Sequence, residues 1–198
     1  YTRIWTADDD DLISIDDSVI NSTIGAGAGQ DVLTVSSTAT VDETKFWGGA
    51  DDDGITIDGS LTNSTLGAGS GSDTLSISST ATVDGSKFWN GPNNDDISVS
   101  GSLKNSTIGA GSGEDNIVID NASINGSIIR GGDDDDVFLI DNLIGDHSTT
   151  PSIHGGKGDD AIDSDASTKT GQTPKLKPLM GQQDYGEMAA GFVVDNQT

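Results

Sequence analysis

One aspartate recurs along this chain at nearly constant intervals, and this repetition constrains the fold more than any other feature of the sequence. Successive anchor aspartates are separated by 20, 22, 20, 22, 20, 21 and 24 residues. The anchors are Asp11, Asp31, Asp53, Asp73, Asp95, Asp115, Asp136 and Asp160. A unit of about 21 residues cannot bury its own apolar face and must stack on its neighbours. We therefore predict a repeat array.

Apolar residues keep fixed distances from each anchor. Two and four residues after it stand pairs such as Leu33 and Val35, and apolar columns also lie seven and twelve residues before it, as at Phe46 and Leu61. Alternation with a period of two indicates strands with one buried face. We predict an all-β fold, a parallel β-solenoid of about eight coils over residues 1–164. One wall follows the anchor and a second precedes it.

The composition agrees with a thin, regular stack. The chain has 27 glycines and only 32% hydrophobic residues, which is little material for a thick globular core. Its formal net charge of −24 argues against nucleic acid or an anionic membrane surface as a partner and favours cations. No stretch is long and apolar enough for a membrane span, so membrane insertion is not expected.

The turns of the predicted coils have two chemistries. A Gly-rich turn precedes each anchor, as in 25–29 and 67–71, whereas Asn-Ser-Thr forms the opposite turn at 21–23, 63–65 and 105–107. Such polar residues hydrogen-bond their own backbone and suit a corner. Residues 146–151 are too irregular for the stack and are expected to protrude. Residues 165–198 lose the repeat and are predicted to be an extended C-terminal arm or linker.

The Gly-rich turns resemble the RTX, or haemolysin-type calcium-binding, repeat of secreted bacterial proteins, G-G-x-G-x-D-x-U-x with U a large apolar residue. Residues 155–163 match every fixed position. The loops before Asp31, Asp73 and Asp115 lack only the first glycine, and the other four carry Asp or Asn where the motif has glycine. The resemblance implies that the eight anchor aspartates bind calcium. One ladder of ions along one edge is implied, because only one turn per coil has the motif.

Electrostatics supports a cation independently of the resemblance. Stacked anchors would lie about 5 Å apart, where two carboxylates repel by about 3 kcal/mol at an effective dielectric constant of 20. Calcium takes six to eight oxygen ligands, which carboxylates and loop carbonyls supply. The alternative is a solvated acidic turn without a bound ion. An EF-hand is excluded, because a loop built on 51–54 would need ligands at Gly49 and Ser60.

A second column suggests an interaction surface. Trp5, Trp47 and Trp89 recur on alternate coils and alternate with glycines, so they could stack on glycans or seat another protein subunit along one corner. The simpler interpretation is that each indole covers the glycine of the intervening coil. The hydroxyl column from Ser14 to Ser98 also leaves an ice-binding solenoid as a minor alternative.

These patterns predict a non-enzymatic module rather than an enzyme. The loops are too short to wall a cleft, and the two histidines, His147 and His154, have no recurring acid or serine beside them. We expect a calcium-stabilised structural or surface solenoid, extracellular or on a virion, that acts as a spacer, surface layer, fibre or adhesion surface. Similar repeats occur in bacterial surface and phage structural proteins. The alternative is therefore a phage decoration or fibre protein that docks through residues 165–198.

Overall fold

A computed structural model describes residues 1–144, 150–165 and 193–195. In these ranges every regular element is a strand, and the 23 strands form three parallel sheets. The chain passes through the sheets in a fixed order and then repeats, so each of the first six coils adds one strand to each sheet, and the next two described coils add strands to two of them only. The predicted all-β parallel β-solenoid is confirmed.

The strands of each sheet follow in spatial order. Sheet A contains β1 (Arg3–Asp8), β4 (Thr23–Ala28), β7 (Lys45–Ala50), β10 (Thr65–Ser70), β13 (Lys87–Pro92), β16 (Thr107–Ser112), β19 (Ile128–Asp133), β21 (Ser152–Lys157) and β23 (Val193–Asp195). Sheet B contains β2 (Leu12–Ile15), β5 (Val32–Val35), β8 (Gly54–Ile57), β11 (Thr74–Ile77), β14 (Asp96–Val99), β17 (Asn116–Asp120), β20 (Val137–Asp141) and β22 (Ala161–Asp165). Sheet C contains β3 (Ser18–Ile20), β6 (Thr40–Asp42), β9 (Ser60–Thr62), β12 (Thr82–Asp84), β15 (Ser102–Lys104) and β18 (Ser123–Asn125).

The stack has three sides, whereas the sequence predicted two walls. The apolar column seven residues before the anchor lies in sheet A, and the column twelve residues before it lies in the separate sheet C. The sequence pattern does not separate the two columns, because both precede the anchor and both show the same alternation. The eight anchors enclose about seven turns of roughly 21 residues.

Like residues lie over like residues throughout the stack. Ile24 pairs with Phe46 in sheet A, and Leu33 pairs with Ile55 in sheet B. The inward side chains of all three sheets form one core that runs along the axis, with Phe88 and Phe138 as its largest fully buried members. Burying each large apolar side chain contributes about 1.5–3 kcal/mol, so the core stabilises every coil through its neighbours.

The corner between sheets C and A is held by a ladder of buried hydroxyls. The backbone N–H of Ser64 donates to Ser86 Oγ at 3.1 Å, and that of Ser86 donates to Ser106 Oγ at 3.2 Å. Ser106 Oγ in turn donates to the Lys104 carbonyl at 2.8 Å, as the corner chemistry predicted. Asn63 precedes this position with a φ of 48°, a left-handed conformation that asparagine tolerates. This corner therefore satisfies its own backbone groups.

The last described coil ends the regular stack. Ile140 pairs with Ser164, so the apolar column of sheet B is lost there, as expected from the sequence. Strand β23 pairs in parallel with β21 and adds a ninth strand to sheet A. The rest of the predicted arm, 166–192 and 196–198, lies outside the described residues, as do 146–149 of the predicted protruding loop.

Candidate functional site

All eight anchor aspartates lie in one column at the corner between sheets A and B, directly before the first residue of each sheet B strand. The turn that leads to them bends the backbone into positive φ two residues before the anchor. Gly29, Gly71, Gly113 and Gly158 hold this position in half of the coils. In the other coils it is held by Asp9, Asp51, Asn93 and Asp134 at φ values of 74–88°. Asp and Asn thus replace glycine where the motif is degenerate, because their short polar side chains tolerate this conformation.

The anchor side chains turn inward and are buried. Asp53 is 3% exposed and Asp136 is 1% exposed, and five other anchors are similarly buried. From Asp31 onward, each carboxyl accepts a hydrogen bond through Oδ1 from the backbone N–H of the anchor in the preceding coil. Asp53 accepts the Asp31 N–H at 2.9 Å, and Asp73 accepts the Asp53 N–H at 2.7 Å. The same hydrogen bond recurs along the ladder as far as Asp160. The result is a continuous ladder of carboxyl groups along the axis.

The second carboxyl oxygen of these anchors is buried without a hydrogen bond. This holds for Oδ2 of Asp11, Asp31, Asp53, Asp73, Asp95, Asp115 and Asp136. A Cβ at Gly48 would lie 2.2 Å from Asp53 Oδ2 and 2.4 Å from the Ala68 carbonyl oxygen, so this oxygen occupies the space that a side chain would fill. A Cβ at Gly131 would similarly lie 1.9 Å from Asp136 Oδ2. The inward position five residues before the anchor must therefore be small in these coils.

Burial makes the charged form of these carboxyls costly. Desolvation raises the pKa of Asp53 to about 7 and that of Asp95 to about 8, against the opposing effect of the backbone hydrogen bond. Neighbouring anchors raise these pKa values further by charge repulsion. Burial likewise raises the pKa of Asp115 to about 6 and that of Asp136 to about 7. The ladder therefore needs either protons or a cation to neutralise it near pH 7.

The donor set fits a hard cation such as calcium. Unpartnered carboxylate oxygens lie beside backbone carbonyls such as that of Ala68, and both are oxygen ligands that calcium prefers. Within the described ranges no three His, Cys, Asp or Glu side chains cluster around one point. An ion between coils would therefore draw on one Oδ2 per anchor and on backbone carbonyls for its remaining ligands. Calcium binding by the eight anchors stays a prediction.

The additional acidic residues of the degenerate loops have a different role. Asp52 Oδ1 accepts a hydrogen bond from the Ser72 N–H at 2.8 Å, and Asp10 Oδ1 accepts one from the Gln30 N–H at the same distance. Asn94 and Asp135 make equivalent bonds to the following coil. These side chains bridge successive turns from the outside, which the sequence pattern did not reveal.

The three tryptophans lie on the outer face of sheet A rather than at a corner. A Cβ at Gly25 would lie 2.0 Å from Trp5 Cζ3, and one at Gly67 would lie 2.5 Å from Trp47 Cε3. Trp89 covers Gly109 in the same way. The interpretation that each indole covers the glycine of the next coil is therefore confirmed, yet the three side chains remain 42–64% exposed.

The outer face of sheet B carries the predicted hydroxyl column. Ser14, Thr34, Thr56, Ser76 and Ser98 are in direct register on neighbouring strands, and Val118 and Leu139 continue the same column. The hydroxyl surface is therefore five strands long and gives way to apolar side chains.

The fold defines this protein as a parallel β-solenoid. Comparison with protein-family models, curated proteins and solved structures found no match. The resemblance to RTX repeats thus rests on the sequence motif. The part of the chain that the structure describes has no helix able to cross a membrane.

Proposed function

We propose that this chain is a non-enzymatic structural module, a rigid β-solenoid that calcium stabilises along its aspartate ladder. The observation that carries the proposal is the row of buried anchor carboxyls. From Asp31 onward one oxygen accepts a hydrogen bond from the preceding coil, and in the seven anchors from Asp11 to Asp136 the second oxygen has no hydrogen bond. Natural proteins pair such buried polar atoms, and exceptions call for an explanation such as an ion.

Calcium would act on the ladder as a whole. When bound, it supplies positive charge that offsets both the desolvation of the carboxylates and the repulsion between successive anchors. Asp31, Asp53 and Asp73 would then contribute Oδ2 to ions shared between coils, while their Oδ1 atoms keep the backbone bonds already present. Each ion would join two coils, so its effect would propagate along the array.

The architecture supports a mechanical or surface role. Eight successive strands at about 4.8 Å give sheet B a length of nearly 40 Å, with side chains in register at every step. Such a rod separates or presents whatever is attached to its ends and faces. We place it outside the cell or on a virion, where calcium is abundant enough to occupy sites of weak affinity.

Calcium-dependent unfolding tests the proposal. Thermal unfolding is followed by circular dichroism in EGTA, in EGTA with excess magnesium and at increasing calcium. A ligand that binds only the folded state at 100 times its Kd adds about 2.7 kcal/mol, so the Tm should rise steadily with calcium concentration. Magnesium should have little effect, because it demands a smaller octahedral site.

A pair of variants assigns the effect to the ladder. Asp73→Asn keeps the oxygen that accepts the Asp53 N–H but lacks the second carboxylate oxygen, so it should lose part of the calcium response. Asp58→Asn, a half-exposed residue of the same charge outside the ladder, is the matched control. An unchanged Tm of the parent protein across all calcium concentrations would exclude calcium as the stabilising ion.

A further inference from the structure

The outer face of sheet A concentrates cations in a strongly acidic protein. The whole chain has a net charge of −24, and its described residues include six Lys and Arg. Five of these six lie on sheet A strands: Arg3, Lys45, Lys87, Arg130 and Lys157. Lys157 forms an ion pair with Asp133 of the neighbouring sheet A strand at 2.8 Å. The sixth cation, Lys104 on sheet C, forms one with Asp84 at 3.2 Å. The distribution is therefore asymmetric.

The cations accompany the tryptophans in a repeating unit. Arg3 and Trp5, Lys45 and Trp47, and Lys87 and Trp89 each stand two residues apart on one strand, so both side chains of a pair project from the same outer face. These pairs lie in two rows of outward positions, one that contains Lys45 and one that contains Trp47. Neither row holds an acidic side chain on the eight sheet A strands from β1 to β21. Among the described residues Lys45 and Lys87 have no ion-pair partner, and both are exposed.

The intervening strands leave the indoles accessible. Threonine lies between the cations, as at Thr65, and glycine lies between the tryptophans, as at Gly67. Beside the tryptophans a further row, including Gly49, Gly69 and Gly91, consists almost wholly of glycines at positive φ. A Cβ at Gly49 would lie 1.8 Å from the Gly27 carbonyl oxygen, so this row cannot carry side chains. A bare strip of backbone therefore runs along the rod next to the indole row.

The unit recurs at every second strand, which corresponds to about 10 Å along the axis. This distance is comparable with the length of a disaccharide. Indole rings stack on the apolar faces of sugars, and each lysine beside an indole can pair with a carboxylate. A regularly repeating surface gains most from a regularly repeating ligand, because successive units then bind at high effective concentration.

We propose that the outer face of sheet A binds a linear acidic polysaccharide, with one indole and one cation for each repeating unit of the ligand. Charge complementarity favours an anionic ligand on this face. The exposed indoles favour a polyanion that contains sugar rings over one that does not. The proposal concerns a ligand of the solenoid and is independent of whether calcium stabilises the fold.

Hyaluronan oligosaccharides are a suitable probe, because they carry one carboxylate per disaccharide. All three tryptophans of the protein belong to this face, so intrinsic fluorescence reports directly on it. We expect a change in emission that saturates, tighter binding of a decasaccharide than of a tetrasaccharide, and weaker binding at high salt. The titration is run in calcium, with circular dichroism confirming that the protein is folded.

Variants separate the two parts of the surface. The double change Lys45→Gln, Lys87→Gln should weaken binding by roughly five- to tenfold at low salt, whereas Lys104→Gln on sheet C should leave it unchanged. Trp47→Leu keeps an apolar cover over Gly67 but lacks the indole, and calorimetry should show weaker binding for it as well.

Four results would overturn the proposal. The first is that hyaluronan oligosaccharides do not bind, and the second is that polyglutamate binds as tightly as they do. The third is that neutral chitin oligosaccharides bind as tightly and the lysine changes have no effect. The fourth is that the protein self-associates and the tryptophan change abolishes this association. The last would identify a second copy of the chain as the occupant of this face.

Discussion

Asp53 offers the most direct test of how the aspartate ladder works. Its Oδ1 accepts the Asp31 N–H at 2.9 Å, and its Oδ2 is buried beside Gly48 and the Ala68 carbonyl oxygen. The Asp53→Asn change preserves the first interaction and removes the charge, and the new amide N–H can donate toward the Ala68 carbonyl. The Asp53→Ala change removes both the acceptor and the charge. Together the two variants separate hydrogen bonding from the cost of a buried carboxylate.

The magnitudes follow from the surroundings of Asp53. Burial raises the pKa of Asp53 to about 7. Relative to an ordinary aspartate, this corresponds to a cost of roughly 4 kcal/mol for the ionised form in the folded protein. In EGTA we expect Asp53→Asn to stabilise the protein by only about 1.5 kcal/mol at pH 5, where the unfolded chain is already ionised, and by up to about 4 kcal/mol at pH 8. Asp53→Ala should be less stable than Asp53→Asn by about 1–3 kcal/mol at both pH values, because the Asp31 N–H loses its acceptor.

Urea unfolding, followed by circular dichroism at pH 5 and pH 8 in EGTA, measures these differences. Asp58→Asn serves as the charge-matched control and should show no comparable pH-dependent gain. If Asp53→Asn were as destabilising as Asp53→Ala at pH 8, the buried carboxylate would not carry the predicted cost. In calcium the sign should reverse at pH 8, since the Nδ2 group of asparagine cannot replace Oδ2 as a calcium ligand.

Four further predictions concern the ladder as a whole and other parts of the fold. In EGTA the parent protein should be most stable near pH 4 and lose stability as the pH rises from about 4 to 8, because a raised carboxyl pKa means that the folded state binds protons more tightly than the unfolded chain does. Urea unfolding across this range would show no such loss if the ladder carboxyls were ionised in the folded state throughout. Ser106→Ala should cost about 1–3 kcal/mol by leaving the Ser86 N–H without an acceptor, whereas Ser106→Thr should be tolerated, as measured by urea unfolding. Asn63→Val should cost about 1–2 kcal/mol at its positive φ and Asn63→Gly much less, so equal Tm values would contradict the strain argument. Deleting residues 45–86, a whole coil pair, should lower the Tm less than deleting the single coil 45–64.

The solenoid could be predicted because its signal is repeated eight times. Each coil gives only a few apolar residues, yet columns such as Leu33 over Ile55 agree in register along the whole chain. The separation of sheet A from sheet C could not be predicted in the same way. The strands of both sheets precede the anchor in the sequence and show the same alternation of apolar and polar residues. Only the bend at corner residues such as Asn63 and Ser64 separates them.

The candidate site could be located from the sequence, but its orientation could not. The motif identifies the anchor aspartates and their glycines, while nothing in it states whether the carboxyl of Asp53 points to solvent or to the core. The small residue five positions earlier, as at Gly48, is the available signal for an inward carboxyl. Without the structure, glycine there is explained equally well by the turn.

The alternation of 20 and 22 residues is accompanied by an alternation in the contacts between coils. Trp47 covers Gly67, and Asp52 in the same coil accepts the Ser72 N–H, so one coil contributes both the indole and the acceptor to the next. The pair formed by Trp89 and Asn94 repeats these contacts 42 residues later. The following coil carries Gly67 in place of the indole and Ser72 in place of Asp52, and makes no such contact onward. The repeating unit of this solenoid is therefore two coils, and a face with tryptophan and lysine at every second strand follows from that arrangement.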